Sequence, residues 1–168
     1  QNLSMNVTVI GREELISFIK DARAHNLIHF ERDIIAPSLK ILNVRGYEYT
    51  GYRSRIYDMR SYFAENMRLL KHENMEALFP EERPVYTKVH DEPPVRYAMD
   101  CKVDNCMVAD GCVIEGEVEN CVLFRGVKIS KGAKVKNCIL MQGTVVEAGC
   151  NVEYVITDKN VTITQDKN

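Results

Sequence analysis

The feature that most restricts this chain is a repeat near its carboxyl end. Segments beginning at Val103, Val118, Val135 and Val152 read Val-Asp-Asn-Cys, Val-Glu-Asn-Cys, Val-Lys-Asn-Cys and Val-Glu-Tyr-Val, at intervals of 15, 17 and 17 residues. Eight positions after each Val stands Gly111, Gly126, Gly143 or Asn160, and eleven positions after it Ile114, Ile129, Val146 or Ile163. Self-similarity at a fixed period means that each unit packs mainly on its neighbours. A coil of 17 residues is too short for two helices and is rich in Val and Ile, so three short strands separated by turns fill it. Gly or Asn at a constant column supplies the positive φ of a sharp corner. Val and Ile in matched columns then stack coil upon coil at a strand spacing of roughly 4.8 Å.

Spacing alone therefore predicts a parallel β-solenoid. The imperfect six-residue grammar, as in Ile129-Ser-Lys-Gly-Ala-Lys and Val135-Lys-Asn-Cys-Ile-Leu, resembles that of hexapeptide-repeat proteins, which implies a left-handed parallel β-helix. Cys106, Cys121 and Cys138 share the fourth position of their units and should form a ladder of small, buried side chains. A zinc site is the rival reading, but no two cysteines have the two-residue separation of a typical zinc knuckle.

The first hundred residues follow a different grammar, with Gly11, Gly46 and Gly51 as their only glycines. Met5 to Ile10 reads as a strand, and Leu15, Ile16, Phe18, Ile19 and Ala22 mark a helix from Arg12 to about Asn26. Asp33 to Leu39 adds a helical turn limited by Pro37. Ile41–Val44 and Tyr47–Tyr52 look like strands joined through Gly46, and Tyr57 to Leu70 is a second helix whose signal continues to about Leu78. Pro80, Pro84, Pro93 and Pro94 then mark an extended linker, within which Val85–Val89 has the composition of an edge strand. The expected organisation is an α/β portion over 1–79, a linker over 80–97 and the solenoid over 98–168.

What chemistry this chain can do is limited by what it lacks. Its formal net charge of −2 gives no basic field for a nucleic-acid backbone. No apolar run has the length of a membrane span, and Gln1 to Met5 has no signal-peptide pattern, so a reducing cytoplasm is the expected compartment. His25, His29, His72 and His90 all precede the repeat, which leaves the solenoid without the histidine base of an acyltransferase. Neither a glycine-rich phosphate loop nor a Gly-x-Ser-x-Gly elbow occurs. No catalytic, cofactor-binding or metal-ligating residue is assigned. Arg45, Arg53, Arg55 and Arg60, accompanied by Tyr52 and Tyr57, are the candidate contacts for an anionic, phosphorylated effector. Lys128, Lys131, Lys134 and Lys136, placed at repeat corners, are a weaker group and more simply solvate a surface.

Two segments of the front half carry a family resemblance. Phe30-Glu-Arg-Asp-Ile-Ile-Ala-Pro37 is similar to the Phe-Gly-Lys-Asp-Ile-Ile-Pro segment of ADP-glucose pyrophosphorylases. Tyr52 to Asn66 is similar to their Tyr-Trp-Arg-Asp-Val-Gly-Thr-Ile-Asp-Ser-Tyr-Trp-Glu-Ala-Asn. Arg83-Pro84-Val85-Tyr86-Thr87, Pro93-Pro94 and Val118 to Gly126 extend the likeness, in order, along nearly the whole chain. The resemblance implies the C-terminal part of a longer protein: the end of an α/β nucleotidyltransferase domain followed by a left-handed β-helix. Its family reaction joins ATP and glucose 1-phosphate into ADP-glucose and pyrophosphate, with Mg²⁺.

The departures point to a specialised member. Where the family has its metal-binding Asp this chain has Arg55, and the Gly-Thr that follows becomes Tyr57-Asp58; the Asp before the family's Phe becomes His29. A guanidinium cannot ligate Mg²⁺. These changes resemble the noncatalytic, regulatory-type subunit of bacterial glycogen synthesis. That resemblance implies a role in assembly and regulation, no activity for the fragment alone and no cofactor of its own. Its implied partners are a catalytic subunit of the same family or further copies of itself. The alternatives are an active sugar-1-phosphate nucleotidyltransferase of other specificity and a purely structural solenoid adaptor.

Overall fold

The computed structural model describes residues 4–165. The chain forms two compact units that divide between Tyr49 and Thr50.

The first unit holds helix α1 (Arg12–Ala24), which opens with Glu13 and Glu14 and ends with Arg23, charges that suit the two ends of its dipole. A π-helical turn follows over Phe30–Ile35, leading into the short helix α2 (Ala36–Ser38). The helical turn thus begins at Phe30, three residues ahead of its expected start at Asp33. Met5–Ile10, Ile41–Val44 and Tyr47–Tyr52 are not strands, and in the second unit neither is Val85–Val89. All the strands among the described residues begin at Arg96 or later. A strand holds its shape only when a neighbour accepts and donates its backbone hydrogen bonds, and these segments find none. Most of their side chains stay in water, Val9 at 99 % exposure.

The second unit opens on helices α3 (Met59–Arg68) and α4 (His72–Leu78), so the single long helix expected from Tyr57 is broken over 69–71. α3 starts at a complete capping box: Asp58 accepts from the Ser61 N–H at 2.6 Å, and the Ser61 hydroxyl accepts from the Asp58 N–H at 3.0 Å. Ser at the position usual for Glu or Gln hid that signal.

From Arg96 onward the repeat folds as its spacing demands. Twelve strands, β1 (Arg96–Tyr97), β2 (Lys102–Asp104), β3 (Met107–Val108), β4 (Val113–Ile114), β5 (Glu117–Glu119), β6 (Val122–Leu123), β7 (Lys128–Ile129), β8 (Lys134–Lys136), β9 (Ile139–Leu140), β10 (Val145–Val146), β11 (Asn151–Glu153) and β12 (Thr162–Ile163), wind into a parallel β-solenoid of about four turns. Its three faces are the sheets β1-β4-β7-β10-β12, β2-β5-β8-β11 and β3-β6-β9. Arg96–Tyr97, assigned to the linker on sequence grounds, is already the first strand.

The predicted columns are in register. Val103 pairs with Val118, Val118 with Val135 and Val135 with Val152; Ile114, Ile129, Val146 and Ile163 form the matching column of another face. Gly111, Gly126, Gly143 and Asn160 all have positive φ. A second left-handed corner lies at Asn105, Asn120, Asn137 and Tyr154, the third position of each unit, and was visible in the sequence only as a repeated Asn. The third corner carries Gly132 and Gly149.

The 15-residue interval has a local cause at that third corner. The links from β1 to β2, β7 to β8 and β10 to β11 span four residues, whereas the link from β4 to β5 is only Glu115 and Gly116. Gly116 sits in the column of Cys101, Ala133 and Cys150, hydrogen-bonded from the Lys102 N–H at 3.2 Å, while Glu117 N–H donates to the Ala133 carbonyl at 2.9 Å. The shortened corner runs so close beneath the next coil that a Cβ on Gly116 would collide with the Ala133 carbonyl oxygen.

Fourteen side chains, among them Cys112, Ile114, Val118, Leu123, Ile129, Val135 and Leu140, form one buried cluster inside the coils. Val122 and Ile139 are outside that cluster and yet 6 % and 0 % exposed. Neighbouring residues of a strand point to opposite faces, so the β3-β6-β9 sheet is apolar and covered on its outer side as well. The Phe63 ring of α3 meets Tyr154 at 6.2 Å, beside the segment where Ile156 bridges to Ile139.

Candidate functional site

The two family-like segments of the front half are built locally. In the first unit, Asp33 on the π-helical turn receives the Arg32 guanidinium at 2.6 Å and the N–H groups of His29 at 2.9 Å and Ile28 at 3.2 Å. Those donors hold its carboxyl well below the ordinary aspartate range, the Arg32 bond contributing most. Its lone pairs are occupied by its own loop, so Asp33 serves as an Asx-type brace for Ile28 to Arg32.

The four candidate arginines do not share one unit. Arg45 lies in the first, exposed, with its Nε 3.3 Å from the Asn43 side chain. Arg53, Arg55 and Arg60 lie in the second, also exposed, the first two in irregular backbone and Arg60 on the first turn of α3. The arginine that meets Tyr52 is instead Arg68, stacked 5.2 Å from the ring centre while its guanidinium binds Glu65 at 2.8 Å. Sequence reasoning missed Arg68 because it comes sixteen residues after Tyr52, beyond the cluster the eye groups together.

The Arg55 guanidinium occupies the position where the resembled family has a ligating carboxylate, and among the described residues no group of three His, Cys, Asp or Glu side chains is arranged to hold a metal ion. A guanidinium offers no oxygen ligand, so Arg55 does not fit a Mg²⁺ site.

On the solenoid the charged surface is organised by the pleat. Along the β2-β5-β8-β11 sheet two outward columns flank the inward valines: Lys102, Glu117, Lys134 and Asn151 on one side, Asp104, Glu119, Lys136 and Glu153 on the other. The lysines expected at corners are therefore mostly strand residues: Lys128 is on β7, Lys134 and Lys136 on β8, and Lys131 alone is in a turn. Alternation carries Lys134 and Lys136 to the surface on either side of Val135. They are also paired, Lys136 with Glu119 at 3.0 Å and Lys134 with Glu117 at 3.7 Å, and Glu119 raises the Lys136 ammonium pKa through that hydrogen bond. An open depression of about 610 Å³ runs along this face. Its mutually compensated charges suit a solvated or protein-facing wall better than a phosphate site.

His25 pairs with Asp21 and His72 with Glu76 one helical turn away, each at 3.0 Å. Among the described residues no helix is long and apolar enough to cross a membrane.

Comparisons with known proteins agree with this geometry. Residues 91–168 match the family described as GlmU-like, C-terminal hexapeptide. The chain is similar to the glycogen biosynthesis protein GlgD of Bacillus subtilis (strain 168), 52 % identical over 122 residues, which cover 73 % of this chain and 36 % of the relative. It is similar to the GlgD protein of Geobacillus stearothermophilus, 56 % identical over 70 residues, 42 % of this chain and 20 % of the relative. It is also similar to the glucose-1-phosphate adenylyltransferase of Geobacillus stearothermophilus, 36 % identical over 119 residues, 70 % of this chain and 30 % of the relative. The chain thus spans about a third or less of the length of these relatives.

Proposed function

Since this chain is homologous to the C-terminal region of GlgD and glucose-1-phosphate adenylyltransferase proteins, we propose that it is the assembly and regulatory end of a GlgD-type, noncatalytic adenylyltransferase subunit in glycogen biosynthesis. The observation that carries this reading is the stronger likeness to GlgD, 52 % against 36 % identity over stretches of similar length. Arg55 at the family's metal-ligand position supports it, because a cation there opposes the Mg²⁺-dependent chemistry of an active subunit. In this reading residues 1–79 are the end of an α/β nucleotidyltransferase domain and the solenoid from Arg96 is a left-handed β-helix, the hand implied by the hexapeptide family. The partner is a catalytic subunit of the same family or a further copy, the setting is the cytoplasm, and Arg53, Arg55 and Arg60 of the second unit are the contacts for a phosphorylated effector.

The test is to purify the complete protein with and without a catalytic glucose-1-phosphate adenylyltransferase subunit and to follow ADP-glucose formation from ATP and glucose 1-phosphate. The expected result is no turnover by the protein alone, a stable complex by light scattering, and altered kinetics of the partner. Turnover by the complete protein alone would refute the noncatalytic assignment and favour an active nucleotidyltransferase.

A further inference from the structure

The interior of the solenoid holds a column of thiols that none of the foregoing chemistry uses. Cys106, Cys121 and Cys138 immediately precede β3, β6 and β9, whose residues pair Met107 with Val122 and Val122 with Ile139. The Met107 N–H donates to the Cys121 carbonyl and the Val122 N–H to the Cys138 carbonyl, both at 2.9 Å, so the three cysteines are register neighbours on consecutive coils. Each sulfur lies 3.0 Å from the carbonyl oxygen two residues before it, on Asp104, Glu119 and Lys136 respectively. The same sulfur-to-carbonyl contact thus recurs on three consecutive coils. Backbone spacing between such neighbours is roughly 4.8 Å, inside the Cα separation of about 4.4–6.8 Å that a disulfide spans.

Reach separates the members of the column. Cys121 and Cys138 are fully buried, while Cys106 is only half-buried, at the end of the column where no further coil is stacked. The remaining cysteines have no adjacent thiol in their columns: Cys101 is separated from Cys150 by Gly116 and Ala133, and Cys112 stacks against Val127. All six are free thiols.

We propose that Cys106 and Cys121 are a thiol–disulfide modification site, a reversible staple between neighbouring coils that is closed by a peroxide. The Cys106 thiolate attacks one peroxide oxygen, breaking the O–O bond and becoming a sulfenic acid, while the leaving hydroxide or alkoxide takes up the proton that the thiol had released and departs as water or an alcohol. The Cys121 sulfur then attacks the sulfenic sulfur, its proton leaves with the hydroxide as water, and the S–S bond forms; the two thiols have given two electrons to the peroxide. The neighbouring Cys121 thiol lowers the Cys106 pKa, against the opposing effects of burial and Asp104, and lowers that of Cys138 to about 7, while that of Cys121 between them is raised. Because Cys138 is sealed inside and Cys106 is half-buried, Cys106 is the attacking sulfur and Cys121 the resolving one.

The experiment treats the reduced full chain with hydrogen peroxide, blocks residual thiols, and maps cross-linked peptides by mass spectrometry after cleavage at both acidic and basic residues. The expected result is loss of two free thiols, a Cys106–Cys121 link, and recovery of both thiols with dithiothreitol. Cys106→Ser should abolish the link and leave Cys121 unoxidised, whereas Cys138→Ser should leave the link intact. The proposal is overturned if the native chain yields no such link, if the link forms only in denaturant, or if Cys121 joins another cysteine as readily. Circular dichroism of both variants separates lost chemistry from lost fold, and the wild-type peptide map is decisive even if a variant fails to fold.

Discussion

The sharpest consequence of the shortened corner concerns Gly116→Ala. Gly116 is not a positive-φ residue, so a methyl group there meets steric resistance rather than backbone strain. Besides the Ala133 carbonyl oxygen, the added carbon would face the Ser130 carbonyl oxygen at 2.9 Å and Ile129 Cγ2 at 3.1 Å. Two of these three are backbone atoms of the next coil and cannot swing aside. Overpacking of a tight interior costs about 1–3 kcal/mol, and here the upper part of that range applies. Moving the corner outward also weakens the bonds from the Lys102 N–H to Gly116 and from the Glu117 N–H to Ala133; each is worth about 1 kcal/mol. A loss of roughly 3 kcal/mol converts, for a chain of this size, to a melting temperature lower by roughly 6–12 °C.

Two control substitutions isolate the cause. Gly126→Ala adds a methyl into open space but at φ +68°, and should cost about 1–2 kcal/mol from the left-handed backbone alone. Gly46→Ala meets neither obstacle and should be neutral or slightly stabilising. Thermal melts of the three variants by circular dichroism should rank Gly116→Ala lowest, then Gly126→Ala, then Gly46→Ala near the parent. Inserting two residues beside Gly116→Ala, which restores the four-residue corner, should recover much of the loss. Equal melting of Gly116→Ala and Gly46→Ala would refute the close-approach argument.

Val135→Asp places a carboxylate at a position only 2 % exposed within the valine column, and should cost several kcal/mol in chemical denaturation; unchanged stability would mean that the column is not sealed. Tyr154 holds φ +54° where the other coils use Asn, so Tyr154→Asn should relieve about 1 kcal/mol of strain. Loss of the Phe63 contact offsets that gain, which should therefore emerge in a Phe63→Ala background, measured as a double-mutant cycle. Asp58→Ala removes the cap of α3 and should lower the melting temperature at neutral pH. The Ser61 N–H, chiefly, holds the folded Asp58 pKa below its ordinary 3.8, so the cap's contribution is complete above that pH and is lost as pH falls through the lowered value. The difference between parent and variant melts should therefore narrow on acidification below about pH 4.

The sequence by itself determined the solenoid, because the information is periodic: an inward Val or Ile at one column and a Gly or Asn at another constrain every coil in the same way. It also determined that the cysteine column carries small side chains, since Cys106, Cys121 and Cys138 share a position whose neighbours are already fixed. Only the tertiary structure decided the features that depend on partners distant in the chain. It located the missing two residues of the 15-residue interval at Glu115–Gly116, where closeness to Ala133 explains a glycine that the pattern left unassigned. It paired Lys134 and Lys136 with Glu117 and Glu119, and it brought Arg68, outside the predicted arginine group, onto Tyr52. Met5–Ile10 and Ile41–Val44 show the reverse limit. Their β-branched composition is that of strands, yet a strand exists only where a second backbone completes its hydrogen bonds, and composition cannot say whether one is there.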